Sequence, residues 1–323
     1  MKHFKTISVS LCLLLLLIVP QFLDDYLMYL INLACIHIIL AAGLNFLTGC
    51  SGQVSLGHAG FYGIGAYTSA LLIIKLKIPF WFSMPLGGIG ASLVGFGIGI
   101  PALRLAGFYL ALVTLGFNEI IHLVSIHWDS LTQGTRGLML PAVNLGQYEF
   151  STDYSFYYII LPITVFLLWV ARNLMGSKIG RALVALRESE IASQCLGMNT
   201  AKYKVIAFAL SAFYAGLAGS LYGSWISYIS PDNFGLLESF LYIMMVIIGG
   251  MGSLIGSVIG AILFTLLPEL LRTFEDLQDV IYGALLLIFI IFMPQGIYGL
   301  FLRFIKRSSI VKSLQFFKDR KFA

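Results

Sequence analysis

Apolar runs long enough to cross a bilayer recur near residues 7–23, 27–47, 59–74, 83–103, 107–125, 155–171, 203–225 and 280–297 of the 323-residue chain, since a crossing needs about 20 residues. A further run, Ser239 to Leu267, has 29 residues, too many for one comfortable span and too few for two full ones, and it breaks at the string GGMGS. The run reads as a re-entrant hairpin of short helices or as two spans, the distribution of charge favouring a hairpin, and the chain as an all-α polytopic membrane protein of about ten transmembrane helices or half-helices.

The apolar blocks are parted by one long polar stretch, Arg172 to Lys204. Ile179, Leu183 and Leu186 recur at i, i+4 and i+7 with Ala182 beside them, which predicts a helix with a narrow apolar stripe. A second short helix follows. Ser189 is placed to cap its start, Glu190 favours the positive end of the helix, and Gly197 stands where a left-handed stop is needed. Asn199 or Thr200 then caps the next span. Two helices closed at both ends make a compact knob, although the polar pattern by itself also fits an ordinary connecting loop.

Charge orients these spans. Placing both termini and the central stretch in the cytoplasm puts sixteen of the twenty Lys and Arg inside, leaving only Lys75, Lys77, Arg136 and Arg272 outside. On this reading Glu269 to Asp279, which carries Glu269, Glu275, Asp276 and Asp279, is an outer loop. The expected division is a transmembrane unit over 1–302, with 172–204 as its cytoplasmic loop, and a basic cytoplasmic tail over 303–323.

Small residues repeat at four-residue spacing in Ala91-Gly95-Gly99, Ala212-Gly216-Ser220 and Gly252-Gly256-Gly260. Small side chains let helix backbones approach closely in lipid, so these read as contact faces, within the chain rather than between copies. The outer segments Ser125 to Tyr154 and Ser227 to Glu238 are polar and aromatic, suited to capping helix ends or to receiving a soluble partner.

A composition of 59% hydrophobic and 11% charged residues excludes a soluble globular chain of this length. The net charge of +5 is a matter of topology, because the cations form no continuous basic face for nucleic acid. Cys12, Cys35, Cys50 and Cys195 show neither a CxxC pair nor metal-ligand spacing, and the five histidines are scattered, so no metal and no cofactor is expected. Lys2 and Lys5 precede an apolar run, but no small-x-small cleavage site follows, which predicts an uncleaved first span. No G-x-x-x-x-G-K-[ST] string occurs, so this chain carries no phosphate cradle of that kind.

Two stretches set polar groups in apolar surroundings. In the first, Asn45, Thr48, Ser51, Gln53, Ser55 and His58 alternate with Gly49, Gly52 and Gly57. It reads either as an interrupted helix lining a pathway, tolerated where protein or water covers it, or as a cytoplasmic turn. The second is Thr114, Asn118, Glu119 and His122: Thr114, Asn118 and His122 share a face, while Glu119 lies about 100° around the helix from Asn118. An acid inside a span is a functional candidate. Glu119, however, stands about 22 Å along the helix from Arg104, which also fits the outer headgroup region. Asn45, Gln53, Ser55, His58, Thr114, Asn118 and Glu119 are the candidate pathway residues.

The run RALVALRESEIASQCLGMN, Arg181 to Asn199, resembles the ATPase-docking loop of permeases of branched-chain amino-acid ABC importers, of the LivM type. GLNFLTGCSGQVSLGHAGFYGIGAY (Gly43 to Tyr67), TLGFNEII (Thr114 to Ile121) and GGMGSLIGSVIGA (Gly249 to Ala261) resemble further segments of that family, so the likeness spans most of the chain. Ser193 departs from it, since the family often has a second alanine there. The resemblance implies a multi-pass subunit of the bacterial inner membrane, itself no enzyme. Its partners would be a second permease, two ATPase subunits that hydrolyse the ATP, and a periplasmic protein delivering leucine, isoleucine or valine. Arg187, Glu188, Glu190, Ala192 and Gly197 would then carry the coupling. Relatives import urea, short amides or sugars, and no residue excludes those substrates. A self-sufficient ion-coupled transporter is the competing class; it needs buried acids as ion sites, and Glu119 is its only good candidate.

Overall fold

A computed structural model describes residues 20, 23–105, 107–145, 148–150, 152–271, 283–284, 287 and 296–300. The expected spans near 7–23 and 280–297 and the basic tail lie almost wholly outside the described residues, as does most of the expected outer loop Glu269 to Asp279. Eight segments among the described residues are long and apolar enough to cross a membrane. Six of them match single expected spans. They are α1 (Asp25–Leu44, continued by a π-helical turn Asn45–Cys50), α2 (His58–Leu76), α3 (Phe80–Ala102), α4 (Phe108–His127), α5 (Asp153–Gly176) and α8 (Thr200–Ile226). Between α5 and α8 lie the two helices of the knob, α6 (Lys178–Glu188) and α7 (Glu190–Cys195).

The 29-residue run resolves into α9 (Leu236–Gly249) and α10 (Leu254–Leu271), packed on each other and joined by a four-residue turn. At 1.5 Å per residue α9 is about 21 Å long, short for a span, and a 3₁₀ turn at Pro231–Phe234 extends it. A Cβ on Gly256 would lie 2.7 Å from the Gly249 carbonyl oxygen, so this glycine sets the separation of α9 and α10. Gly260 likewise meets the Met245 carbonyl. Gly252, expected on the same helical face, sits instead in the turn at φ +81°.

The central helix is α8, which packs against α3, α2 and α1. Two of the small-residue faces meet each other along it. A Cβ on Gly95 would stand 2.5 Å from Ala212 Cβ, one on Gly216 would stand 2.6 Å from Ala91 Cβ, and Gly99 lies against Val205. The close approach needs small residues on both helices, because there is no hydrophobic driving force between helices in lipid and packing must supply the energy. Gly65 of α2 completes the junction against the Gly216 backbone.

At the far end of the bundle from the knob, the two long loops pair through β1 (Leu138–Met139) and β4 (Tyr228–Ile229), which are antiparallel. A separate small hairpin is formed by β2 (Val143–Leu145) and β3 (Tyr148–Phe150). Phe234, buried, stacks edge-on against Tyr62 and Tyr67 of α2 with ring centres 5.2 and 5.7 Å away.

Candidate functional site

The knob is built as its capping residues dictate. Ser177 starts α6 by accepting from the Ile179 amide at 3.1 Å, and Ala182, Leu183 and Leu186 bury its apolar stripe. Ser189 starts α7 by accepting from the Ala192 amide at 3.2 Å, and Gly197 ends it with φ +79°. Asn199 then accepts from Lys202, starting α8. The departure at Ser193 has a local use: its hydroxyl donates to the Ala185 carbonyl at 3.1 Å and ties α7 to α6. Glu190 pairs with Lys204 at 2.6 Å, so the acid at the head of α7 is held by this chain's own α8. Glu188 is exposed, and so are Val184, Ile191 and Leu196, the last two 76% and 88% exposed.

From the end of α6, Arg187 Nη1 donates to the Gly49 carbonyl oxygen at 2.7 Å. Gly49 lies in the π-helical turn that closes α1, and a helix end leaves carbonyls without helical partners. The same turn reaches the α9–α10 connection: Asn45 Oδ1 accepts from the Gly252 amide at 2.8 Å. Two glycines make room for the arginine. Gly252 would place a Cβ 2.9 Å from Arg187 Nη1, and Gly52, at φ +72°, would place one 3.2 Å from Arg187 Cγ. The knob, the end of α1 and the α9–α10 turn are therefore clasped at one point.

Beyond the clasp the chain does not simply turn. From Gln53 to Gly57 it runs without regular structure, with Gln53, Ser55 and Gly57 buried and Val54 exposed, and α2 starts level with Leu40 in α1, whose carbonyl lies 3.0 Å from His58 Nε2. A helix that begins inside the bundle has amide groups that no water can satisfy, and other helices supply the acceptors. Thr114 Oγ1 accepts from the Leu56 amide at 2.9 Å. Ser239 Oγ accepts from Ala59 at 3.0 Å, and Asn118 Oδ1 accepts from Gly60 at 2.6 Å and from Ser239 Oγ at 3.1 Å. A carbonyl oxygen can only accept, so His58 donates through Nε2 and its Nδ1 accepts from Ser211 at 3.4 Å.

Of the candidate pathway residues, Thr114, Asn118, His58 and Ser55 thus meet around the start of α2, whereas Asn45 and Gln53 lie at the clasp. Asn45 Nδ2 and Gln53 Oε1 are buried with no partner in the protein, in a class of atoms that is almost always paired. Glu119 joins neither group: its side chain is 48% exposed, and its contact with His122 is 4.0 Å long. Sequence reasoning missed Ser239 and the Arg187–Gly49 bond, both products of long-range packing. The one local sign of Ser239 was a hydroxyl at the head of an apolar run.

The profile of the family described as the branched-chain amino acid transport system permease component matches residues 26–290. The chain belongs to this family. The permease is 38% identical over 290 residues to the high-affinity branched-chain amino acid transport system permease protein LivM of Escherichia coli (strain K12), covering 82% of this chain and 68% of the relative. It is 26% identical to LivH of Salmonella typhimurium, covering 83% and 93%. With the probable permease LivM of Methanocaldococcus jannaschii the identity is 23%, covering 81% and 90%. No solved structure matches the permease at a significant level.

Proposed function

We propose that this permease is one of two membrane-spanning subunits of an ATP-driven importer for leucine, isoleucine and valine, working with two cytoplasmic ATPases and a periplasmic binding protein. Both termini and the knob face the cytoplasm, and the paired loops face outward. The observation that carries the reading is the knob itself. It is capped at both ends, presents Val184, Ile191 and Leu196 uncovered, and is bonded through Arg187 to the end of α1. Exposed apolar side chains on a rigid, charged element suit a protein docking surface.

Closure of the ATPases pushes the knob, and Arg187 passes the displacement to Gly49 and, through Asn45, to the α9–α10 turn. The π-helical turn and the irregular stretch that follows it, 45–57, are then the moving part of the pathway, and Thr114 and Asn118 hold the end that leads into α2. Asn45 Nδ2 and Gln53 Oε1, the two side-chain atoms there without protein partners, face the route of the solute. Glu119, exposed on the flank of α4, serves at an interface rather than as a buried ion site.

The test is reconstitution of the permease with a second permease, the two ATPases and the binding protein in liposomes. ATP-dependent accumulation of leucine, isoleucine and valine is expected. Accumulation of none of the three, by a complex that hydrolyses ATP in response to the binding protein, would refute the substrate assignment.

A further inference from the structure

A cavity of about 230 Å³ lies at the outer end of the bundle between α1, α2, α8, α9 and α10. A water's share of liquid volume is about 30 Å³, so the space matches one small solute rather than one or two waters. Its walls are unusual for a membrane interior: Tyr29, Tyr62, Tyr222 and Tyr242 surround it, with Glu238 beside them. Three of the rings are in contact, with centres 5.6 Å apart for Tyr62–Tyr222 and 5.9 Å for Tyr62–Tyr242.

Among the described residues no lysine or arginine lines the cavity, and Glu238 makes no ion pair. Its carboxylate is half-buried at the head of α9. A second acceptor joins it. Thr265 gives its one hydroxyl proton to Ala261 O at 2.7 Å, so its oxygen accepts from His37 Nδ1, also at 2.7 Å. In the neutral imidazole this leaves Nε2 as an acceptor. A carboxylate, an imidazole acceptor and several aromatic faces with no cation among them form an environment for an ammonium group. Leu33, Leu241 and Phe264 complete the wall with apolar surface of the kind a branched aliphatic side chain needs. The tyrosine hydroxyls are donors for a carboxylate.

The cavity also sits directly above the helix break. Tyr242 is in its wall, and His58, the first residue of α2, lies edge-on beneath Tyr242 at 6.1 Å. A solute held there rests on the residues that the knob moves.

We propose that this cavity is the receiving site of the permease for a zwitterionic aliphatic amino acid, with Glu238 taking the ammonium group and the tyrosines enclosing it. The inference rests on the importer reading above and assigns the substrate contact to this chain. Glu238→Gln in the reconstituted transporter should raise the KM for leucine tenfold or more while the ATPases stay bound, and Glu238→Asp should stay within threefold of wild type. The second measurement uses Leu241→Cys in the otherwise unaltered complex. Leucine and isopentylamine should slow labelling of that cysteine by an impermeant maleimide, whereas 4-methylpentanoate, which lacks the amine, should not. An unchanged KM in an assembled Glu238→Gln complex overturns the proposal, and so does equal protection by all three compounds or by none. Where Glu238→Gln fails to assemble, the protection assay decides. Leucine accumulation by the wild-type complex, measured alongside, separates this proposal from the importer reading: if it is absent, the reading itself fails.

Discussion

Arg187 and Gly49 stand 138 residues apart in sequence and are joined by a 2.7 Å hydrogen bond from guanidinium to carbonyl. A charged donor makes such a bond worth about 1.5–3 kcal/mol, and this one connects the knob to the end of a transmembrane helix. Arg187→Ala should leave the permease abundant and its ATPases bound, but cut ATP-driven uptake at least tenfold while hydrolysis continues. Arg187→Lys, which keeps the charge and loses the planar fork, should fall between. Uptake equal to wild type in the alanine variant would remove Arg187 from the coupling route.

Asn118 holds two helices at once, accepting from Gly60 of α2 and Ser239 of α9. Asn118→Leu leaves both donors buried without an acceptor, which costs about 1–3 kcal/mol for each group. The detergent-solubilised protein should therefore melt at a lower temperature, and Asn118→Asp, which keeps the acceptor, should recover part of the loss. An unchanged melting curve for the leucine variant would mean that α2 starts differently.

Gly256→Leu should sharply reduce the folded, membrane-extracted yield, because even a Cβ there would press on the Gly249 and Gly250 carbonyl oxygens at 2.7 and 2.8 Å. Gly116→Ala is the control, since nothing lies within 4 Å of its added carbon. Comparable yields from the two would contradict the α9–α10 packing.

Much of this arrangement was legible in local pattern. The caps at Ser189 and Gly197, the shared face of Thr114 and Asn118, and the small-residue ridges of α3 and α8 each depend on neighbours within a turn or two of helix. What the pattern left open depended on distant chain. The stretch from Asn45 to His58 read equally as a cytoplasmic turn, because the acceptors for its amides come from α4 and α9. Gly252 fitted a helical stripe by spacing, but its positive φ and its amide bond to Asn45 belong to a turn. Glu190 read as a charge for the helix start or for a partner, and Lys204, fourteen residues on, was not an obvious mate. The tyrosine-lined cavity draws on five helices, and no single stretch advertised it.

Orientation has a simple probe. Cys195 is an exposed thiol on the knob, and Met139, 80% exposed, lies on β1 at the opposite end. An impermeant maleimide added to intact cells should label Met139→Cys rapidly and leave Cys195 untouched until the membrane is opened. Labelling of Cys195 in intact cells would invert the topology.

The central claim is that the knob is the docking element for separate ATPases, and the most direct measurement is co-purification after its uncovered apolar side chains are charged. Ile191→Glu with Leu196→Glu changes two residues that are 76% and 88% exposed, so the fold of the permease has no reason to suffer. The account predicts normal insertion and abundance, loss of the ATPase subunits from the purified complex, and loss of leucine uptake. Retention of the ATPases together with normal uptake would contradict it and reduce the knob to a connector between α5 and α8.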